Sequence, residues 1–537
     1  MAPEDEERPE EASDEEPTEQ ASDEEQTVEG TDVEPTEESS DEEPVADDDG
    51  VHPGADSSSG EVAPGEIPPG GGPQDRIPSS QDILRPIQQT TKKFWISMGV
   101  VLLVIGVFKV LWAYQLHVGL SVTGLSDWGS GGGVTWGLYI GAFVWWVGIA
   151  HGGIILSAAV RLLGMEKYKP VARLAEMLTI AALSVAGMYI VIHTGRPDRI
   201  VTSVALHYPQ TVHQSPLVWD VTVITLYFVM TATYLALTLR YDVSRLRDQM
   251  PDLFSPLYDA LTMGYTERED PIVERMVWWL ALAIIILAPL LLHGGVIPWL
   301  FALIPTMPGW FGAVQGPQFL TIALTSAISG VIITAYAFRV AYDWEHIFTD
   351  EVLRGLTMWL GLFALLFLWL QLQQIISGEF AAPIAQEAAT TAKVTSPVYW
   401  FAIGLVAVTL AYIFAEAVRP DLYSNKRALL ASGAVLTGTL VEKTFFVVEG
   451  LEYPMFALYD AVPGAYFPSI VEMASVLGTI GIVILMFLIF AKVVPVVELH
   501  AVEHEQEKRG ITPEHHDVVM ADGGTVDDDD RDGEVDR

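Results

Sequence analysis

Ten stretches of about 20 mostly apolar residues constrain the fold of this chain more than any other feature. A helix of that length crosses the hydrocarbon core of a bilayer, and it satisfies its own backbone hydrogen bonds there. The stretches lie near residues 93–116, 137–161, 170–194, 217–239, 273–294, 317–339, 353–377, 397–417, 427–447 and 468–491. The sequence therefore predicts an all-α polytopic membrane protein with about ten transmembrane helices.

Basic residues are distributed unequally between the two sets of connections. Cytoplasmic loops of membrane proteins are enriched in Lys and Arg. One set, which includes both flanks of the apolar region, carries eighteen Lys or Arg, whereas the opposite loops offer only Arg196, Arg199 and Lys393. This bias predicts a multi-pass protein of the cell (plasma) membrane with both termini in the cytoplasm.

Most of the negative charge lies in two tails. Residues 1–50 hold 24 Asp and Glu against one Arg, residues 501–537 hold 13 acids against four bases, and the net charge of the chain is -40. The first 80 residues repeat motifs such as SDEEPTEQ, turn Pro and Gly rich, have little apolar surface to bury and lack the pattern of a signal peptide.

We therefore expect a disordered cytoplasmic tail over 1–80, a transmembrane domain over 90–495 and an acidic cytoplasmic tail over 496–537. Such acidity suits very salty cytosol, where charges are screened over about 3 Å. Docking of a basic partner is the alternative, and we expect no nucleic-acid partner.

The chain contains no cysteine. Disulfides and Cys-ligated iron–sulfur clusters are therefore excluded from it. If the protein takes part in electron transfer, the redox centres belong to a substrate or to partner subunits.

Ionisable residues fall in or beside four of the predicted spans, where charge is costly unless it lines a cavity, relays protons or holds a polar ligand. They are His151 in AHGGIILSA, Glu176 in RLAEMLT, His193, Arg196 and Asp198 in HTGRPDR, Asp220 in SPLVWD, and His293 in LLHGG. By topology all but His151 and Glu176 should converge near the outer face. Glu176 lies 17 residues before His193, or about 25 Å deeper, and should mark with His151 a relay toward the cytoplasm.

A pocket of histidine, carboxylate and arginine could hydrogen-bond a quinone carbonyl and accept quinol protons. Asp220 near a helix start could instead be a cap, and Glu176 could simply pair with an arginine. Haem held by two histidines is the rival explanation. His193 and His293 match in depth, but His193 directly precedes the GRP turn, and the sequence has no second pair of histidines at matching depth. Glu442 adjoins Lys443, so a local ion pair is expected there rather than catalysis.

The segments HGGIILSA, RLAEMLT, HTGRPDR and SPLVWD resemble the NrfD/PsrC family of quinone-interacting membrane subunits, which includes the polysulfide reductase membrane subunit. They are especially similar to the large ten-helix membrane subunits of alternative complex III. The Asp198 and Arg199 that follow GRP are closer to the polysulfide-reductase branch. The similarity extends over residues 90–495, and the acidic tails lie outside it.

The resemblance implies a quinone-binding helix bundle in a subunit without haem or iron–sulfur cluster, which exchanges electrons between menaquinone or another quinone and an iron–sulfur ferredoxin-like subunit on the outer face. A molybdopterin oxidoreductase or cytochrome subunit would continue the chain. The resemblance implies a quinone pocket among the helices of the second to fifth spans, which corresponds here to His151, Glu176, His193, Arg196 and Asp220. With the predicted depths added, we expect quinone contacts from His151, His193, Arg196, Asp198, Asp220 and His293. His193, Arg196 and Asp220 are the expected catalytic groups. A proton-coupled secondary transporter and a passive membrane anchor are the alternatives.

Overall fold

The computed structural model describes residues 63–125, 134–212, 214–287, 297–302, 304, 306–312, 314–380, 384–455 and 465–512. The α-helices of these residues, in chain order, are α1 Ser80–Gln88, α2 Lys92–Val118, α3 Leu138–Leu162, α4 Lys169–His193, α5 Tyr208–Thr211, α6 Pro216–Leu246, α7 Ser255–Thr262, α8 Asp270–Leu287, α9 Ile297–Ala302, α10 Gln315–Tyr342, α11 Asp350–Phe380, α12 Ile384–Thr395, α13 Pro397–Val418, α14 Asn425–Glu452, α15 Ile470–Val493 and α16 Leu499–Lys508.

Nine helices of the described residues are long and apolar enough to cross a membrane: α2, α3, α4, α6, α10, α11, α13, α14 and α15. Each coincides with one predicted span, which confirms the all-α polytopic class. The remaining predicted span, 273–294, corresponds to α8, which begins at Asp270 and is described as far as Leu287. Residues 288–294 of this predicted span lie outside the described part of the chain.

Helix α3 lies at the centre of the bundle. It packs on α4, α8, α10 and α14, while α6 packs on α4 and α8. Helices α11 and α13 complete a second group with α10 and α14, and α2 pairs with α15 beside α4. The outward faces carry apolar side chains such as Leu103, Trp369 and Val408, each more than half exposed in the isolated chain, as expected of surfaces that face lipid.

Small residues let α3 approach its neighbours closely. A β carbon at Gly152 would collide with the Ala323 carbonyl of α10, and one at Gly141 would lie 2.6 Å from the Thr444 Cα of α14. Close backbone approach of this kind is the usual way in which membrane helices gain packing energy without a hydrophobic driving force. The two glycines thus let α3 pack closely on α10 and α14, which belong to the second group of helices.

We call the end of the bundle that carries Arg85, Arg161 and Lys492 the basic end. There α1, α7 and α16 cover the ends of α6 and α15, with Ile83, Tyr258 and Leu499 in a shared apolar cluster. The Lys492 ammonium donates to the Pro86 carbonyl at 2.6 Å. Helix α16 lies beyond residue 496, so this part of the sequence-predicted tail packs on the transmembrane domain.

Asp82 anchors α1 at the basic end. Its buried carboxylate accepts from the Ser79 backbone N–H at 3.1 Å, and it lies 3.0 Å from Arg76 and 3.3 Å from His346. Burial raises the pKa of Asp82, but the hydrogen bond and charge of His346, together with Arg76, outweigh it and hold the pKa below its ordinary value.

Candidate functional site

The HGG motif positions His151 in the middle of the bundle. The ring Nδ1 donates to the Val147 carbonyl one turn earlier, at 2.7 Å, so Nε2 is the basic nitrogen of the neutral ring. Gly153 follows because a β carbon there would lie 2.7 Å from the Thr179 hydroxyl of α4. The motif therefore combines one buried imidazole with the close packing of α3 on α4 and α10.

A polar stripe on α6 faces this histidine. Asp220, Tyr227 and Tyr234 recur every seven residues, so they share one helix face, and each is at most 1% exposed. The Tyr227 ring lies 4.5 Å from the His151 ring, measured between centroids. The site thus lies between α3 and α6.

Asp220 is the least satisfied group of the stripe. Among the described residues, neither of its buried carboxylate oxygens has a hydrogen-bond partner, and the same holds for the Tyr227 hydroxyl. Helix α6 begins at Pro216, and no side-chain cap forms at its start. The cap explanation of Asp220 is therefore not supported, and an unpaired buried carboxylate indicates a site for a polar ligand or a proton.

His193 ends α4 at the end of the bundle opposite the basic end. Its side chain is half-buried, and Nδ1 donates to the Ile190 carbonyl at 3.0 Å. Arg196 and Asp198 follow in the connection to α5, both more than half exposed, and form a two-bond pair at 3.0 and 2.9 Å. His293 lies outside the described residues.

The structure brings only some predicted site residues into contact. Arg196 pairs with Asp198, whereas Asp220 is buried in α6 and takes no part in that pair. His151 contacts the Asp220 stripe through Tyr227.

Glu176 belongs to a separate buried group near the basic end. Its carboxylate accepts from the Ser157 hydroxyl at 2.7 Å and lies 3.5 Å from Arg161, both on α3. It is fully buried. The arginine pairing that was the alternative for Glu176 is therefore present.

Three more charged residues belong to this buried group. We call the whole group the basic-end cluster, and its members are Arg161, Arg173, Glu176, Asp242 and Glu498. Arg173 pairs with Asp242 of α6, both 1% exposed, and Glu498 pairs with Arg161 and lies 3.8 Å from Arg173. Burial raises the pKa of Glu498, but Arg161 and Arg173 outweigh it and hold the pKa below its ordinary value.

With Glu176 the cluster has three carboxylates and two guanidinium groups. One proton makes it neutral. Of the three carboxylates, Glu176 lies farthest from its nearest arginine, at 3.5 Å. A cluster of this composition has the chemistry to hold one proton, and the longer contact makes Glu176 the candidate carboxylate for it.

Sequence reasoning missed the tyrosines of α6 and the partners of Glu176. The seven-residue spacing from Asp220 to Tyr227 and Tyr234 was a readable signal for the tyrosines. Asp242 and Glu498 had none, because the first lies near a helix end and the second in the region assigned to the acidic tail.

The profile of the family described as polysulphide reductase, NrfD, matches residues 128–454, which include α3, α4, α6 and the second helix group. The chain belongs to the NrfD family. His151 and the polar stripe of α6 lie within the matched region. Most of the basic-end cluster does too, and Glu498 lies beyond it.

Three relatives are similar to this chain in sequence. A putative dimethyl sulfoxide reductase membrane subunit of Halobacterium salinarum is 31% identical over 246 residues, 46% of this chain. Those residues span about half (52%) of that relative's length. A selenate reductase subunit of Mesobacillus selenatarsenatis is 23% identical over 79% of this chain and 99% of its own. An Hdr-like menaquinol oxidoreductase integral membrane subunit of Archaeoglobus fulgidus is 22% identical over 74% and 92%.

Proposed function

We propose that this NrfD-family chain is the membrane subunit of a quinone-linked respiratory oxidoreductase. It exchanges electrons between the quinone pool and an iron–sulfur partner subunit bound at the outer face, with a molybdopterin or cytochrome subunit beyond it. The names of the three relatives, which are subunits of reductases or of a menaquinol oxidoreductase, support this class. The loop charges support both termini in the cytoplasm, with the basic end facing it.

The observation that carries the proposal is the buried carboxylate of Asp220 with both oxygens unpaired among the described residues. A quinol hydroxyl is a ligand that suits it, because the hydroxyl donates a hydrogen bond to the carboxylate and then gives up its proton. Tyr227 offers a donor for a quinone oxygen on the same helix face. His151, next to Tyr227, is the nearest base for a second proton.

His193 and Arg196 form the outer rim of this proposed quinone pocket. An exposed arginine held by an exposed aspartate can exchange that partner for a ligand at little cost, because solvent screens surface ion pairs. Arg196 then stabilises negative charge that develops on the quinol as its protons leave. Glu176 and the basic-end cluster carry protons between His151 and the cytoplasm.

Quinol turnover of the purified complex tests the pocket. Because general-base catalysis contributes about a hundredfold or more, Asp220→Asn and His193→Ala should lower the rate of quinol oxidation by that order while the partner subunits still copurify. Arg196→Ala should do the same, and Arg199→Ala, which removes an exposed arginine three residues away, is the matched control. Wild-type turnover in the correctly assembled Asp220, His193 and Arg196 variants would refute the quinone pocket.

A further inference from the structure

A second group of buried polar residues lies in the other half of the bundle, and the proposed quinone chemistry does not use it. We call it the Lys443 cluster. Its members come from α10, α11, α12 and α14 and are at most 8% exposed: Gln318, Gln371, Gln374, Lys393, Glu442, Lys443 and Glu449.

Hydrogen bonds connect the helices of this cluster in two groups. The Lys393 ammonium of α12 donates to the Gln374 side-chain oxygen at 2.9 Å, and the Gln318 amide donates to the same oxygen at 3.1 Å. The Gln371 amide, one turn from Gln374 on α11, donates to Glu442 at 2.8 Å. The two groups thus meet on a single face of α11.

The ion pair expected between Glu442 and Lys443 is present, and it is deep in the protein. The Lys443 ammonium lies 3.2 Å from the Glu442 carboxylate and 3.6 Å from the centre of the Phe319 ring, and the two charged side chains are 2% and 4% exposed. A buried ion pair is often no more stabilising than apolar side chains of similar volume. Burial of this pair among membrane helices therefore indicates a function.

Small cavities lie at both ends of the cluster. One of about 20 Å³ is lined by Gln374, Lys393 and Glu449, and one of about 10 Å³ is lined by Lys443 together with Trp145 and Gly148 of α3. Each is about the size that one water molecule occupies. Among the described residues, one oxygen of the buried Glu449 carboxylate has no hydrogen-bond partner, so a proton acceptor adjoins the first cavity.

The second cavity joins the cluster to the helix that carries His151. Gly148 precedes His151 by three residues, or about 4.5 Å along α3. Glu449 lies seven residues beyond Glu442 toward the end of α14 that is opposite the basic end, about 10 Å farther along. Ionisable or water-sized steps therefore run from α3 to that end of the bundle, while the basic-end cluster occupies the other end.

We propose that the Lys443 cluster is the outer half of a transmembrane proton path, with Glu442 and Lys443 as its inner site and Lys393 and Glu449 as its exit; this rests on the proposed quinone function. With both lysines and both glutamates ionised the cluster is neutral. A proton that arrives from the α3 side adds one positive charge, and the release of one proton from the exit restores neutrality. A proton fits better than a metal cation, because the Lys443 ammonium already occupies the cation position beside Glu442.

The test is proton release by the purified complex in liposomes during quinol-driven electron transfer, followed with a pH-sensitive dye. Glu449→Gln and Lys443→Met should lower the number of protons released at the outer face per electron pair by about half or more. Electron transfer in detergent should stay within about twofold, because protons can still leave through Glu176. Glu449→Asp should restore release.

The matched control is Glu416→Gln. Glu416 of α13 is another buried carboxylate, and it lies 3.1 Å from Arg354 of α11. Its replacement should leave proton release unchanged. Normal release by the Glu449 and Lys443 variants overturns the path. Loss of electron transfer in detergent by assembled Glu449→Gln also overturns it, since the cluster would then serve the quinone reaction. A wild-type complex that oxidises quinol without releasing protons at the outer face refutes the path and leaves the quinone function standing.

Labelling of the wild-type complex during quinol turnover, when protons pass through the cluster, gives a measurement that does not depend on the variants. Dicyclohexylcarbodiimide reacts with protonated carboxyl groups in apolar surroundings, and mass spectrometry locates the adduct. Modification of Glu442 or Glu449 with a parallel loss of proton release supports the path. Absence of the adduct from both residues overturns it.

Discussion

Replacement of Glu176 by glutamine separates proton storage from structural pairing in the basic-end cluster. Glutamine keeps the shape of the side chain and can still accept from the Ser157 hydroxyl. It removes the titrating carboxyl and leaves two carboxylates for two guanidinium groups. Replacement of Glu498 by glutamine is the matched comparison, because it removes the carboxylate that both Arg161 and Arg173 share.

The distances give the expected size of each effect. At an effective dielectric constant of about 20, unit charges 3.5 Å apart, as for Glu176 and Arg161, interact by about 5 kcal/mol, and charges 3.8 Å apart, as for Glu498 and Arg173, by about 4 kcal/mol. If Glu176 holds the proton, its replacement loses none of that attraction, and the free energy of unfolding should change by about 1 kcal/mol or less. Glu498→Gln removes the close partner of Arg161 and leaves that guanidinium with Glu176 at 3.5 Å, which has to lose its proton to keep the cluster neutral. The loss of this charged hydrogen bond should cost roughly 2–3 kcal/mol.

Thermal unfolding of the detergent-purified chain, followed by tryptophan fluorescence, measures the difference between the two variants. The midpoint for Glu176→Gln should stay close to that of the wild type, and the midpoint for Glu498→Gln should fall clearly. In liposomes Glu176→Gln should keep appreciable quinol oxidation and lose proton translocation. Equal destabilisation by the two variants, or translocation that is unchanged in Glu176→Gln, would refute the assignment of the proton to Glu176.

Two further predictions follow from the packing and the charges. Gly152→Val should destabilise the detergent-purified protein by roughly 1–3 kcal/mol, because its side chain meets the α10 backbone, while Gly187→Val, where a β carbon has open space, should leave the unfolding midpoint nearly unchanged. The folded-state pKa of Asp82 is lowered, so its contribution to α1 docking is present above the unfolded value near 3.8 and is lost as the pH falls through the folded value. Limited proteolysis near residue 80 should therefore accelerate below about pH 4 in the wild type. The Asp82→Asn variant should show this fast cleavage already at pH 7. Cleavage of the variant that matches the wild type at both pH values would contradict this role of Asp82.

The transmembrane helices were predictable because their cause is local. A run of apolar residues in a bilayer has to satisfy its backbone hydrogen bonds within itself, so run length alone predicts α2, α3, α4, α6, α10, α11, α13, α14 and α15. Buried ionisable groups such as His151 and Glu176 stood out for the same reason, since each interrupts an apolar run. The site roles predicted for these residues remain predictions.

The partners of those groups were not predictable, because helical periodicity says which face a residue occupies and not which helix lies opposite it. Arg173 meets Asp242 from 69 residues away, and Arg161 meets Glu498 from 337 residues away. The pairing of Glu442 with Lys443 was predictable because the two residues are adjacent in the sequence. The hydrogen bond from Gln371 to Glu442, however, joins residues 71 positions apart. The order of residues along the chain is enough to show that charge is buried in these helices. Only tertiary packing decided which charges share a site, because the free energy of a buried charge depends on the distances to its neighbours rather than on its position in the chain.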